Sequence, residues 1–436
     1  MWRRPAYRVL VLAVLIGIAV LLGKAHAEFR GGYDLTASSR LWWVVAYSGL
    51  VAIVGYGLGL PESPSLRTPL RTSVVASAVP PVLVAVVQTA IGGFVLPRFF
   101  LLLSIPANIL ILFAASLASG RLSKISAARE RVLLLCDEEE AAVVRSDVEY
   151  HAEIPCSIVG QIALSGPLVP EDLLERSAQL EPTLVVYSSG AAQRGRLVPA
   201  LTALHGSGVR IRDLSAFYDA FIGKVPIREL ESTALLFDVR EIHHPSYLRI
   251  SRIVDVSFAV AGGLILGLVI PFVLAGNAIA NRGPLFYSQD RVGKGSTPLR
   301  ILKFRSMSPG GTTSQWTAQD DPRITRFGRI LRLTHLDELP QVLNILKGDL
   351  SLVGPRPEQP HYVAELSAKI PFYSARHLVR PGLTGWAQVN YPYGADEIDA
   401  FEKLQYEFWY LRHQRIFLDL KIIARTVRHV LGFGGR

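Results

Sequence analysis

The 436-residue chain is poor in cysteine, with only Cys136 and Cys156. Two thiols build no disulfide framework, and neither stands in a zinc-ligand spacing, so a reducing compartment is expected. Acidic residues are outnumbered: 36 Asp and Glu face 46 Lys and Arg, a net charge of +10. Such a balance suits anionic partners, whether nucleic acid, an acidic membrane surface or phosphate-bearing substrates. A glycine-rich phosphate loop is also missing. The strand-like run 131–135 leads into Cys136-Asp137-Glu138-Glu139-Glu140, where a dinucleotide-binding unit carries G-x-G-x-x-G. Four acids in that turn repel a diphosphate, which argues against dinucleotide binding. Half of the residues are hydrophobic and mean hydropathy is +0.31, too apolar for a soluble protein of this length.

The apolar residues gather in runs. Residues 9–23, 41–60, 73–96 and 99–118 each approach the ~20 needed to cross a bilayer, and Pro80-Pro81 is expected to kink the third. Lys24-Ala25-His26-Ala27 after the first run fits either a cleaved signal peptide or an uncleaved span; the spans that follow favour the second. Arg3, Arg4 and Arg8, then Arg67 and Arg71, then Arg121, Lys124, Arg129 and Arg131 fall on one side if all four runs cross. The positive-inside rule makes that side cytoplasmic. Lys24, Arg30 and Arg40 lie on the other side and soften the asymmetry.

Beyond residue 125 the periodicity changes. Strand-like runs at 131–135, 157–163, 183–187 and 209–214 alternate with helix-prone stretches at 137–144 and 194–205, which predicts a small parallel α/β domain. Residues 223–246 read as a linker. Glu241, His243 and His244 lie there without a zinc spacing and are expected on its surface. Residues 253–280 are then apolar except for Asp255 and are interrupted by Pro271. Hydropathy alone makes this a fifth span. Arginines flank both ends, however (Arg249, Arg252 and Arg282), and a basic remainder follows. Proline removes a helix hydrogen bond and kinks the helix. A segment that enters one leaflet and returns is therefore expected.

The chemistry concentrates in residues 331–357, LRLTHLDELPQVLNILKGDLSLVGPRP. Asp337 and Glu338 form an adjacent acid pair, with Arg332 before it and Arg356 after it. Arginines neutralise phosphate oxygens bidentately, and paired acids can divide nucleophile, base and metal-ligand work. The plain alternative is a helix turn with its acids in solvent. In KFRSM, Lys303 and Arg305 share one strand face and suit a phosphate. Arg323, Arg326, Arg329 and Arg332 recur every three residues and line one side of a helix, facing solvent or lipid phosphates. Asp320-Asp321 before Pro322 suits a helix N-cap better than a metal-binding acid cluster. Residues 406–430 mix aromatic, apolar and basic side chains, as interfacial or half-buried helices do.

LDELPQVLNILKGDLSLVGPRP, KFRSM (303–307) and VRPGLTGWAQVN (379–390) resemble the signature blocks of the bacterial sugar transferase family, the monotopic polyprenyl-phosphate phosphoglycosyltransferases, and stand in the family's order along the chain. The likeness runs from about residue 247 to the C-terminus. Two departures stand out: Ile270-Pro271 where the family usually breaks at Ser-Pro, and Tyr391-Pro392-Tyr393-Gly394 where many members continue Gly-Arg-Asn. The second resembles the exopolysaccharide-associated branch.

The resemblance implies a membrane protein of α plus α/β class. It would comprise a four-helix transmembrane bundle (1–125), a Rossmann-like domain for structure or homodimerisation (126–245), and a re-entrant helix with an α/β catalytic domain (246–436). The implied reaction moves a sugar-1-phosphate from a UDP-sugar to undecaprenyl phosphate, with UMP released, at the cytoplasmic face of a bacterial inner membrane. It would begin exopolysaccharide, O-antigen or capsule assembly. Asp337 would be the nucleophile and Glu338 a base or metal ligand. Mg²⁺ would sit at this pair, and Arg332, Arg356, Lys303 and Arg305 would meet phosphate. Nucleic acid is not an expected partner. Two other classes stay open: a conventional glycosyltransferase that releases UDP, and a non-enzymatic membrane scaffold.

Overall fold

The computed structural model describes residues 3–30, 38–58, 60, 67–91, 96–126, 130–151, 154, 156–163, 170–192, 197–227, 245–308, 323–391 and 396–430. Glu241, His243, His244, Asp320, Asp321 and residues 392–394 lie outside that set, as does Arg129. Two compact units emerge: Met1–Ser126 with Leu333–Leu336 and Arg415–Arg436, and Ala127–Arg332 with Asp337–Gln414.

The first unit is built on helices α1 (Arg3–Arg30), α2 (Ser38–Gly57), α3 (Arg67–Ile91) and α4 (Arg98–Ser126). Each of the four expected apolar runs is thus helical over most of its described residues. Tyr7–Phe29 and Arg98–Ser119 are long and apolar enough to cross a bilayer, while the apolar parts of the other two, Arg40–Tyr56 and Thr72–Ala85, are shorter. The helices bury Leu15, Val44, Val51, Ala76, Phe100 and Leu112 between them and leave Val9, Leu21, Trp42, Leu102 and Leu110 exposed. That is the pattern of a bundle whose outer face meets lipid. Two tyrosines inside it pair across helices, where an apolar medium offers few other partners. Tyr7 Oη donates to the Ala115 carbonyl at 2.6 Å, and Tyr47 Oη meets Ser104 Oγ at 2.5 Å. Pro80, Pro81 and Pro106 lie inside helices that continue past them.

The second unit opens with the middle domain: β1 (Glu130–Leu135), α5 (Glu138–Tyr150), β2 (Cys156–Ile162), α6 (Pro170–Leu180), β3 (Leu184–Tyr187), α7 (Ser189–Ala192), α8 (Leu197–Gly206), β4 (Arg210–Asp213) and α9 (Leu214–Phe217). A π turn, Tyr218–Ile222, follows. The sheet order is β2-β1-β3-β4, parallel throughout. Alternate residues of the central strands point to opposite faces. Val132, Leu134 and Val186 pack with Val144 and Phe217 on one side; Leu133, Leu135 and Val185 pack with Leu173 and Leu204 on the other. Helices cover both faces, so these strands read as continuous apolar runs. The acidic turn after β1 caps α5: the Asp137 N–H donates to Glu140 Oε2 at 3.1 Å.

The remainder of this unit begins with α10 (Pro245–Ala280). Then come β5 (Phe286–Val292), β6 (Pro298–Phe304), α11 (Arg326–Leu333), the 3₁₀ turn Leu336–Gln341, α12 (Val342–Lys347), β7 (Ser351–Val353), α13 (Pro360–Lys369), the 3₁₀ turn Tyr373–Leu378, β8 (Gly382–Thr384), α14 (Trp386–Asn390) and α15 (Glu397–Arg412). The last helix, α16 (Ile416–Val430), belongs to the first unit, where it packs with α2.

Helix α10 is, like the two in the first unit, long and apolar enough to cross a membrane. Helical structure runs without interruption through Pro271, so the expected turn within one leaflet is not visible as a break. Its buried residues Ser251, Asp255, Ala259, Gly262, Leu266, Val273 and Asn277 form one stripe; Ile253, Val260, Leu264, Leu268, Phe272 and Ile279 are exposed. Near the start, Arg252 donates to the carbonyls of Ile345 and Leu346 at 2.6 and 2.7 Å, at the C-terminal end of α12. One turn later the Asp255 carboxylate accepts from Ser351 Oγ at 3.0 Å and the Leu352 N–H at 2.8 Å. At the far end, Gly276 lies so close to the Phe327 ring that a Cβ there would overlap it, and Asn281 Nδ2 donates to the Arg305 carbonyl at 2.7 Å. The same domain thus holds both ends of the helix.

Candidate active site

The acid pair stands on the 3₁₀ turn Leu336–Gln341, directly after His335, whose φ of 55° lies in the left-handed region. A non-glycine residue there marks a sharp, strained turn of the kind found at functional sites. Glu338 Oε1 accepts from Lys303 Nζ at 2.8 Å and from Arg356 Nη2 at 2.9 Å. Lys303 and Arg356, distant from each other in sequence, therefore meet on one oxygen.

Local structure explains how each arrives. Lys303 lies on β6, which pairs antiparallel with β5 along its length. The other edge of β6 is held by a side chain: Asn344 Oδ1 accepts the Leu302 N–H at 3.1 Å, and its Nδ2 donates to the Arg300 carbonyl at 2.8 Å. One amide thus imitates a neighbouring strand immediately before Lys303. Arg356 follows β7, which pairs parallel with β8. The two backbones approach so closely at Gly354 and Gly382 that a Cβ on Gly382 would run into the Gly354 nitrogen. Glycine alone permits this, and it carries the Gly354–Arg356 segment onto the domain core.

Burial would raise the proton affinity of Glu338, but Arg356 and Lys303 beside it hold its carboxyl well below the usual carboxylate range. Arg356 is raised in turn, chiefly by Glu338 and also by Asp337. Asp337 therefore lies within the electrostatic reach of the same guanidinium. The cluster is partly open to solvent, with Lys303 17% exposed, Glu338 20% and Arg356 44%.

The remaining expected site residues lie nearby or elsewhere. Arg332 Nη1 contacts Met307 Sδ at 3.6 Å, which ties it to the end of the KFRSM block. Arg305 is engaged away from the acid pair. Its Nε donates to the Pro284 carbonyl at 2.9 Å and its Nη2 to that of Asn281, closing the exit of α10. Pro271 stands inside α10. Sequence patterns missed the support beneath Arg356. Arg376 and Glu407, each 5% exposed, pair at 2.7 Å, and Arg376 Nη2 also donates to the Arg356 carbonyl at 2.9 Å. Arg291 donates to the Pro357 carbonyl at 3.0 Å. These partners lie tens of residues apart, and no local spacing signals them.

Among the described residues no three His, Cys, Asp or Glu side chains gather as metal ligands. The donor chemistry still fits Mg²⁺ in its common mode, one or two carboxylates with substrate phosphates and water.

Residues 246–433 match the bacterial sugar transferase family. The chain is 42% identical over 198 residues to a UDP-N-acetylgalactosamine-undecaprenyl-phosphate N-acetylgalactosaminephosphotransferase of Aeromonas hydrophila, covering 44% of this chain and 46% of that protein. It is 32% identical over 277 residues to a UDP-glucose:undecaprenyl-phosphate glucose-1-phosphate transferase of Xanthomonas campestris, covering 60% and 56%. The match thus spans about half the length of each. A protein of the latter name from Caulobacter vibrioides is 43% identical over 188 residues, covering 41% of this chain and 69% of that one. With two thirds of that relative covered, and the motif blocks folded around one acid–arginine cluster, the chain belongs to the bacterial sugar transferase family.

Proposed function

We propose that this protein transfers a hexose-1-phosphate or N-acetylhexosamine-1-phosphate from a UDP-sugar to undecaprenyl phosphate and releases UMP. The observation that carries the reading is the meeting of Lys303, Glu338 and Arg356 beside Asp337. The names of the relatives supply the donor and acceptor classes.

In this reading an Asp337 carboxylate oxygen attacks the sugar-side phosphorus of the donor. The bond to the bridging oxygen breaks, and UMP leaves with its electron pair. The phosphosugar stays on Asp337 as an acyl phosphate. An oxygen of the lipid phosphate then attacks the same phosphorus, and the Asp337 carboxylate is released. Arg356 and Arg332 offset charge on the phosphoryl oxygens, where a placed donor is worth ~3–4 kcal/mol. Glu338, held ionised by its two cations, is a poor proton acceptor at neutral pH. Its part is to hold Lys303 and Arg356 toward the phosphates. Mg²⁺, bound through Asp337 and the donor diphosphate, would supply further charge neutralisation.

The attachment of both ends of α10 to one domain supports a re-entrant path. A straight helix from Arg252 to Asn281 is ~40 Å long, and a crossing would place its ends on opposite sides of a ~30 Å core. Return to the side of entry leaves the catalytic domain in the cytoplasm, where nucleotide sugars are made, on a bacterial inner membrane. The middle domain would serve structure or homodimerisation.

Purified protein, Mg²⁺, undecaprenyl phosphate and a panel of UDP-sugars test the reaction through the nucleotide released. UMP from one sugar, absent with Asp337→Asn, is expected. UDP would place the protein among conventional glycosyltransferases, and neither nucleotide would leave the scaffold class.

A further inference from the structure

Among the described residues of the middle α/β domain none takes part in the acid–arginine cluster, yet the domain grips the helix that supports it. Lys224, just after the π turn, is 2% exposed. Its Nζ donates to Asp147 at 3.1 Å and lies 2.5 Å from Glu402 Oε2 on α15. A lysine is almost never this buried unless paired; here one carboxylate from each domain shares it. Tyr218 Oη donates to Asp147 Oδ2 at 2.8 Å, which fixes that acid in turn.

The contact continues along α15. The Val225 N–H donates to the Gln405 carbonyl at 3.1 Å. Tyr406 Oη meets His151 Nε2 at 3.3 Å, and Trp409 Nε1 donates to the Asp219 carbonyl at 3.1 Å. Trp386 Nε1 donates to the Gly223 carbonyl at 2.7 Å. Val225 and Ile227 are buried in one apolar cluster with Tyr373, Leu404 and Phe408. Residues 223–227 are thus built into the catalytic domain, although they precede the family-matched stretch 246–433.

Glu402, Tyr406 and Trp409 share a helix face at i, i+4 and i+7. Glu407 lies about 140° round from Glu402 and pairs with Arg376 at 2.7 Å. Arg376 donates to Tyr373 Oη at 2.5 Å and to the Arg356 carbonyl at 2.9 Å. Helix α15 therefore stands between the 223–227 strap on one side and the backbone of Arg356 on the other.

We infer that the middle α/β domain is a brace: through Lys224 it fixes α15, and through Glu407 and Arg376 that helix fixes Arg356 against Glu338. Lys224, Glu407 and Arg376 are positioning residues. The inference rests on the proposed phosphate role of Arg356. It gives the domain a use that requires no ligand of its own.

Hydrogen exchange on the full-length protein in detergent tests this without substrate. Lys224→Met and Glu407→Gln should speed exchange in peptides covering 351–358 about tenfold. Strand β1 should keep its protection, and the exposed-pair control Arg300→Gln should leave both regions unchanged. In UMP release, kcat should fall at least about tenfold while the donor KM changes less than about threefold, and Lys224→Arg should restore most of the rate. If Lys224→Met does not accumulate, Glu402→Gln takes its place with the same expectations. Unchanged exchange at 351–358 would overturn the brace, as would loss of protection across the whole of 130–414. A wild type that releases no UMP would sink the reaction, while the exchange result would still decide the brace.

Discussion

At the scale of single residues, the two acids of the pair have separate roles. In the proposed reaction Asp337 forms the bond, while Glu338 accepts from two cations, Lys303 and Arg356. Asp337→Asn should remove UMP release altogether. Glu338→Gln keeps the shape but loosens Lys303 and Arg356, and should lower kcat about 10²–10³-fold, the size seen when a preorganised charge-stabilising donor is lost. Steady-state rates on matched, folded preparations check both; equal and complete losses would show that Glu338 does chemistry as well. The blocks that carry Lys303, Glu338 and Arg356 were legible in the sequence, and the fold brings these three side chains together. The engagement of Arg305 with the carbonyls of Asn281 and Pro284 was not, since strand alternation places a side chain on a face but names no partner. The Arg376–Glu407 pair was hidden for the same reason: 31 residues separate its members, and only the tertiary fold joins them.

At the scale of elements, α10 was legible as an apolar segment and its attachment was not. The close approach at Gly276 carries a prediction. Gly276→Leu would drive a side chain into the Phe327 ring and should destabilise the domain by ~1–3 kcal/mol, as overpacking does. Phe327→Ala in the same chain should recover part of it. Thermal melting of the four proteins in one detergent gives the coupling; additive effects would deny the contact. The path of α10 is tested by labelling Ser246→Cys and Arg282→Cys in sealed inverted vesicles. Both should react from the cytoplasmic side, and reaction of the second only from the opposite side would mean a crossing. Among middle-domain elements, all four strands β1–β4 were legible at 131–135, 157–163, 183–187 and 209–214, and their alternation with helices implied the parallel sense. The extension of α5 to Tyr150 was not, because its outer face is polar and its burial comes from the neighbouring sheet.

At the scale of the whole molecule, stability should depend on pH through a buried histidine. The His377 imidazole, 7% exposed and bonded to Ser296 Oγ at 3.1 Å, is pushed down from 6.5 to about 4 by burial and then by Arg376. Between those values the unfolded chain binds more protons than the native one. This contribution is therefore fully present above about pH 6.5 and lost as pH falls toward 4. Melting temperatures of wild type and His377→Gln should converge across that window; parallel curves would show that His377 does not couple folding to pH. The change from long apolar runs to alternating strands and helices after residue 125 was legible. The insertion of residues 223–227 into the catalytic core was not, because a run that reads as linker shows no sign of the groove it fills.

In the proposed reaction the phosphosugar passes through Asp337. Purified protein should be incubated with Mg²⁺ and its UDP-sugar in the absence of lipid acceptor, then digested and mapped by mass spectrometry. The expected result is a burst of about one UMP per protein and a phosphosugar adduct on the peptide that carries Asp337, discharged when undecaprenyl phosphate is added. UMP that appears only after the lipid is supplied, with no adduct on that peptide, would contradict it.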